Sequence, residues 1–284
     1  MSPVRRFALP PWLLAVLLAL PPAAAALHAG LPATVDGGLH LQRTLSVAYL
    51  LRAAPGWPRW APHFLQGWGY PIHHFYPPGV PLLAAAAVNA GLRPEQAHLA
   101  IIVAAWSLAS AGTYRLARTA LPPSSALLAA GAAAFSAVRL FEVQVQGNVP
   151  QLVAAAIVPW ALACTVEAVR RPGVTASAAL AASVAAIALV HHVTFVLALG
   201  ALVLVAAAVA AERFDRRRER PGGRRTLAGL AGAGALALGL AAVYLVPAAL
   251  DASLVQLAKA ASGMFDPLAN LVALADLARP LARV

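Results

Sequence analysis

Three ionisable residues stand out as able to do chemistry together: Asp36, His40 and Arg43, in the stretch VDGGLHLQR. If the segment is helical, offsets of four and seven put all three on one face. A carboxylate can accept a proton from a hydroxyl within hydrogen-bond reach. An arginine can grip a phosphate or carboxylate through two parallel N–H bonds. A histidine between them adds a second group able to stabilise negative charge. The competing structural reading is that Asp36 caps the N-terminus of a helix. Spacing alone does not separate the two.

The composition says what must surround these residues. Of 284 residues, 61% are hydrophobic and 11% charged, and the mean hydropathy is +0.75. Soluble domains carry about a quarter charged residues. Most of this chain therefore faces lipid or other apolar helices. The net charge of +11 comes from 21 Lys+Arg against 10 Asp+Glu. In a membrane protein such a balance reports topology and anionic headgroups. No compact basic and aromatic module argues for nucleic acid. The lone cysteine, Cys164, excludes an intramolecular disulfide and a multi-cysteine metal site.

A membrane-crossing helix needs about 20 apolar residues. Runs free of Asp, Glu, Lys and Arg place expected spans at roughly 8–30, 96–114, 120–138, 150–168, 174–190, 193–211 and 226–248. The charge-free run 172–211 is too long for one span and reads as a hairpin turning at His191–His192. The run 60–92 is not a span. Its first half, WAPHFLQGWGYPIHHFYPPG, is broken by Pro and Gly, and hydrocarbon offers the freed backbone no partner. Its second half is too short and reads as an interfacial or re-entrant helix over 79–92. With the N-terminus inside, Arg5, Arg6, Arg115, Arg118, Arg170, Arg171 and the cluster from Arg213 to Arg225 all fall inside, which satisfies the positive-inside rule. The fold expected is an all-α polytopic membrane protein of about seven transmembrane helices. A long outer loop, 31–95, contains the juxtamembrane helix, and an outer segment, 249–284, ends the chain. Arg5–Arg6 followed by an apolar stretch also fits a signal peptide, although the stretch is long for one.

This topology sends all eight histidines to the outer side or to outer span ends: His28, His40, His63, His73, His74, His98, His191 and His192. The aromatics between Tyr49 and Tyr76 fit an interfacial belt. The histidines lack HExxH-type spacing, so a zinc centre is not expected from them.

The loop DGGLHLQR, with GWPRWAPHFLQGWGYPIHHFYPPGVPLL after it, resembles the first outer loop of bacterial 6-pyruvoyl-tetrahydropterin synthase-related membrane proteins. Asp36, His40 and Arg43, then Pro58-Arg59-Trp60, then Gly69-Tyr70-Pro71, then Phe75-Tyr76-Pro77-Pro78 carry the resemblance. Nothing resembles a soluble pterin enzyme. The layout is also similar to GT-C glycosyltransferases, which have an acid in the first outer loop, juxtamembrane helices and a polyprenyl-phosphate-linked sugar donor. The resemblance departs at FEVQVQGNVPQL, where Gln146-Gly147 and Gln151 stand in place of Arg-Gly and an acid. Family members are longer, so a fragment or truncated homologue is expected.

The resemblance implies a site at headgroup depth on the outer face of the bacterial cytoplasmic membrane. There Asp36 is the base, Asp36, His40 and Arg43 line one wall with Arg59 closing the site, Arg43 and Arg59 hold the phosphate, and His73, His74 and Tyr76 line the sugar pocket. A divalent metal at Asp36 is a further means of stabilising the departing phosphate. The partners implied are membrane lipid and a polyprenyl-phosphate-linked sugar. The rival reading is a non-catalytic transporter, flippase or cell-envelope assembly factor. It would favour ionisable residues or broken helices at mid-membrane depth. The expected span centres hold no Asp, Glu, Lys or Arg.

Overall fold

The computed structural model describes residues 9–54, 56–216 and 223–256. Among them the helices are α1 (Pro11–Leu27), α2 (Gly37–Ala53), α3 (Ile72–Phe75), α4 (Gly79–Asn89), α5 (Pro94–Ala117), α6 (Pro123–Ala134), α7 (Ala137–Phe141), α8 (Val149–Arg170), α9 (Val174–Val190), α10 (His192–Arg216) and α11 (Gly223–Leu250). The described residues form no strand. Arg5–Arg6, the basic loop with Arg217, Arg218 and Arg220, and the segment after Gln256 lie outside the described residues.

Five helical stretches are long and apolar enough to cross a bilayer: Pro94–Ala117, Pro123–Gln146, Val149–Arg170, His192–Glu212 and Gly223–Leu250. Two further expected spans, α1 and α9, have 17 residues each. At about 1.5 Å per residue each is roughly 26 Å long, a little short of the hydrocarbon core. The span expected at 120–138 runs further and is segmented. The helix α6 stops at Ala134, α7 restarts at Ala137, and a π-helical turn, Glu142–Gln146, carries the segment on. Arg139 and Glu142 therefore lie inside a helical segment that a search for charge-free runs ends at Val138.

The chain forms two compact units, Met1–Leu245 and Val246–Val284. In the second, the described part is the end of α11 and a 3-10 turn, Ala252–Leu254. The site lies in the first.

Proline at the first or second position starts α5, α6 and α8, where its missing N–H has no helical partner to lose. The bundle packs α5 against α1, α6 and α8, and α8 against α9 and α10. Buried Ala19, Ala105, Ala109, Ala154, Ala161 and Ala181 let the backbones approach closely. A Cβ on Gly112 would collide with the Trp160 indole. That indole donates to the Leu108 carbonyl at 2.8 Å. The Ser110 hydroxyl donates to Ala15 O at 2.7 Å, tying α1 into the bundle.

The two ends of these helices differ in character. Where α5, α8 and α10 end, Arg115 pairs with Glu167 at 3.0 Å and Arg170 with Glu212 at 3.3 Å. Such half-exposed pairs contribute about 1 kcal/mol or less each. At the other end of the same helices lie His98, Glu142, His191 and His192. The loop that covers this end is irregular, as its prolines require. A 3-10 turn, Leu65–Gly67, and the single turn α3 interrupt it before α4, and no continuous helix runs through 66–80. The hairpin expected at His191–His192 is present: His191 is extended, with φ −156°, between α9 and α10.

Candidate functional site

The π turn holds the start of α2. The Val35 N–H donates to Val145 O at 3.0 Å and the Asp36 N–H to Gln146 O at 2.8 Å. Gly147 ends the turn in the left-handed region, φ +71°, packed so closely on Thr34 that a Cβ would overlap it. Gly147→Ala therefore strains the backbone and displaces Thr34. A loss of about 1–3 kcal/mol is expected, read as a lowered thermal midpoint in detergent. A wild-type midpoint would contradict this clasp.

Asp36 sits just before α2 and is half-buried, and its side chain makes no capping hydrogen bond. The Gly37 N–H donates instead to Thr34 Oγ1 at 3.2 Å. Thr34 does the capping, and the Asp36 carboxylate is not committed to it.

One and two turns on, His40 and Arg43 are both buried on the inner face of α2. The Arg43 guanidinium lies 3.8 Å from the centroid of the Tyr76 ring, a cation–π arrangement. The His40 ring tilts against Tyr76 at 6.1 Å, and Tyr76 meets His192 edge-on at 6.3 Å. His98 enters from α5, hydrogen-bonded through Nε2 to Thr44 Oγ1 at 2.9 Å. Among the described residues Arg43 has no salt bridge. Its Nε, His40 Nδ1, His98 Nδ1 and Glu142 Oε2 are buried without a hydrogen-bond partner. Buried polar atoms normally find partners, and a buried cation without an anion is costly.

Burial sets the charge states. It depresses the His40 pKa to about 3, helped by Arg43, His98 and His191. It depresses His73 to about 4, helped by Arg43 and His63. Burial also raises the Tyr76 hydroxyl pKa, against the pull of Arg43. Both imidazoles are thus neutral at pH 7, and Arg43 is the fixed positive charge of this cluster. Folded His40 and His73 bind protons more weakly than the unfolded chain, whose value is 6.5. Acid therefore favours unfolding: stability is full above about pH 6.5 and is lost as the pH falls from there through 4 toward 3. The melting midpoint should fall across that window, and less steeply in His40→Gln. An equal slope in both proteins would contradict the assignment.

The structure brings some of the expected site residues together and separates others. Asp36, His40, Arg43 and Tyr76 share one region. His73 is turned into the α2 packing: its Nε2 bonds Ser46 Oγ at 2.9 Å and its carbonyl accepts from Trp57 Nε1 at 3.0 Å. Arg59 reaches His74 Nδ1 at 3.4 Å and the Val243 carbonyl at 3.2 Å, so its hydrogen bonds go to His74 and α11. Tyr244 braces the same place, donating to Phe75 O at 3.1 Å.

Three residues that sequence reasoning left out of the site belong beside it. His98 and His191 are within electrostatic range of His40, and Glu142 is within range of Asp36. A cavity of about 10 Å³ separates Glu142 and His98 under the start of α2, at the lower limit for one water. Gln151 donates to Glu142 Oε1 at 2.6 Å. Where an acid was expected, the amide instead fixes a carboxylate nine residues earlier.

The donor set does not fit a divalent cation. Among the described residues no three His, Cys, Asp or Glu side chains converge as metal ligands. No protein-family model matches the chain, and no curated protein matches it.

Proposed function

We propose that the chain is a GT-C-like membrane glycosyltransferase. It acts at the outer face of the bacterial cytoplasmic membrane on a polyprenyl-phosphate-linked sugar. The observation that carries this reading is the buried guanidinium of Arg43, stacked on Tyr76 beside neutral His40, with no salt bridge among the described residues and its Nε unpartnered. A buried cation of this kind suits a phosphate delivered from lipid, since charge-assisted bonds gain strength where water is excluded. Asp36, freed from capping, is the base that takes the acceptor hydroxyl proton. The proton passes to Asp36, the acceptor oxygen forms the new bond to the sugar, and the bond to the lipid phosphate breaks with its electron pair on the phosphate. His40 and Arg43 receive that charge. Wild-type membranes supplied with labelled polyprenyl-phosphate sugars should yield a transferred product. No transfer with any donor would remove the enzyme reading.

A second reading, a flippase or transporter, draws on the segmented helix Pro123–Gln146 with Arg139 and Glu142 inside it, a form transporters use at their sites. It requires movement of lipid phosphate with no sugar transferred.

The topology proposed is seven passes with the N-terminus inside. Leu92 and Leu121 are both exposed, in loops on either side of α5. In intact cells an impermeant maleimide should label Leu92→Cys and spare Leu121→Cys and Arg218→Cys. The reverse pattern would invert the topology and move Asp36 to the inner side.

A further inference from the structure

We infer that the outward face of α2 carries a second site, for an anionic phospholipid of the surrounding bilayer. The residues Gln42, Leu45, Tyr49 and Arg52 recur at helical spacing on the side away from His40 and Arg43. With Leu65 of the loop and Val88 of α4 they line an open groove of about 780 Å³, within the size range of ligand sites. Leu45, Leu65 and Val88 make much of its wall apolar, as an acyl chain requires. Arg52 is the one Lys or Arg on that wall, and among the described residues it has no ion-pair partner. A soluble anion would have no use for the apolar wall, and a neutral lipid none for Arg52.

Two further observations point to this groove. Leu65 and Gln66 are consecutive non-glycine residues in the left-handed region, φ 52° and 58°. Leu65 is nonetheless 61% exposed. Backbone strain of this kind persists only where its surroundings impose it, and it gathers at ligand sites. The same loop exposes Trp60, Trp68 and Tyr70, the residue types that settle at headgroup depth. A lipid phosphate at that depth meets Arg52, and its chain lies along Leu45 and Val88. This site does not depend on the Asp36 chemistry.

The test is native mass spectrometry of the full-length protein, delipidated in detergent. It is then offered phosphatidylglycerol or phosphatidylcholine with identical chains. Wild type should retain phosphatidylglycerol preferentially. Arg52→Gln should lower that preference about fivefold, the effect of one basic residue near anionic lipid. Leu65→Asp should abolish the adduct and Leu65→Asn should keep it. Both replacements tolerate a left-handed backbone, so the pair differs in charge rather than in folding. The proposal is overturned by an absence of preference in wild type. It is equally overturned by an unchanged preference in Arg52→Gln, or by equal retention in Leu65→Asp and Leu65→Asn.

Discussion

Arg43→Met is expected to weaken binding of a polyprenyl phosphate by thirtyfold or more while leaving the fold as stable as wild type, or more stable. Arg43 is buried with no salt bridge among the described residues and with its Nε unpartnered. Its desolvation outweighs what offsets it, namely the Tyr76 ring at about 2 kcal/mol, the Tyr76 hydroxyl and the nearby charge of Asp36, so burial still holds its pKa below the ordinary arginine value. Replacing buried charge with an apolar side chain of similar volume is often neutral, or stabilising by about 1–4 kcal/mol. Removing one partner of a buried charge pair costs about 2–5 kcal/mol in binding, which corresponds to roughly thirtyfold to several thousandfold. An arginine that served packing alone would behave in the opposite way: the melting midpoint would fall and binding would be unaffected. Differential scanning fluorimetry and a lipid-phosphate titration on the same preparation separate the two.

Asp36→Asn is expected to cut sugar transfer by about a hundredfold or more, because asparagine accepts no proton at neutral pH. Stability should not change, since the Asp36 side chain makes no capping bond. The comparison with Thr34 sharpens this. Thr34 Oγ1 accepts from the Gly37 N–H, so Thr34→Ala should cost about 1 kcal/mol while Asp36→Ala costs little. If Asp36→Ala melts lower and Thr34→Ala does not, Asp36 is the cap.

The parts of this fold that were readable from sequence are those governed by local rules. The face shared by Asp36, His40 and Arg43 follows from helical periodicity. The irregular loop before α4 follows from Pro71, Pro77 and Pro78, and the turn at His191 from the length of an apolar run that one helix cannot fill. The site's other wall was not readable, because it is assembled by distant parts of the chain. Glu142 comes to Asp36 from the far end of a segmented helix that a charge-free window cuts at Val138. The Arg59 contact to Val243 spans 184 positions. Neither leaves a local trace. Gln151 is the instructive case. Read against a family pattern it is a missing acid. In the structure its amide grips the acid present at Glu142, 2.6 Å away. The same long-range packing gives Arg59 its hydrogen-bond partners in His74 and α11, contacts that no local rule reads from the sequence.

The central claim is a division of labour in which Arg43 holds a lipid phosphate and Asp36 moves a proton. It is tested most directly by titrating a short-chain polyprenyl phosphate into purified wild type, Arg43→Met and Asp36→Asn, with tryptophan fluorescence or calorimetry as readout. The account requires wild type and Asp36→Asn to bind with similar affinity and Arg43→Met to bind at least about thirtyfold more weakly. Binding by Arg43→Met equal to wild type would contradict it, because the phosphate would then sit elsewhere.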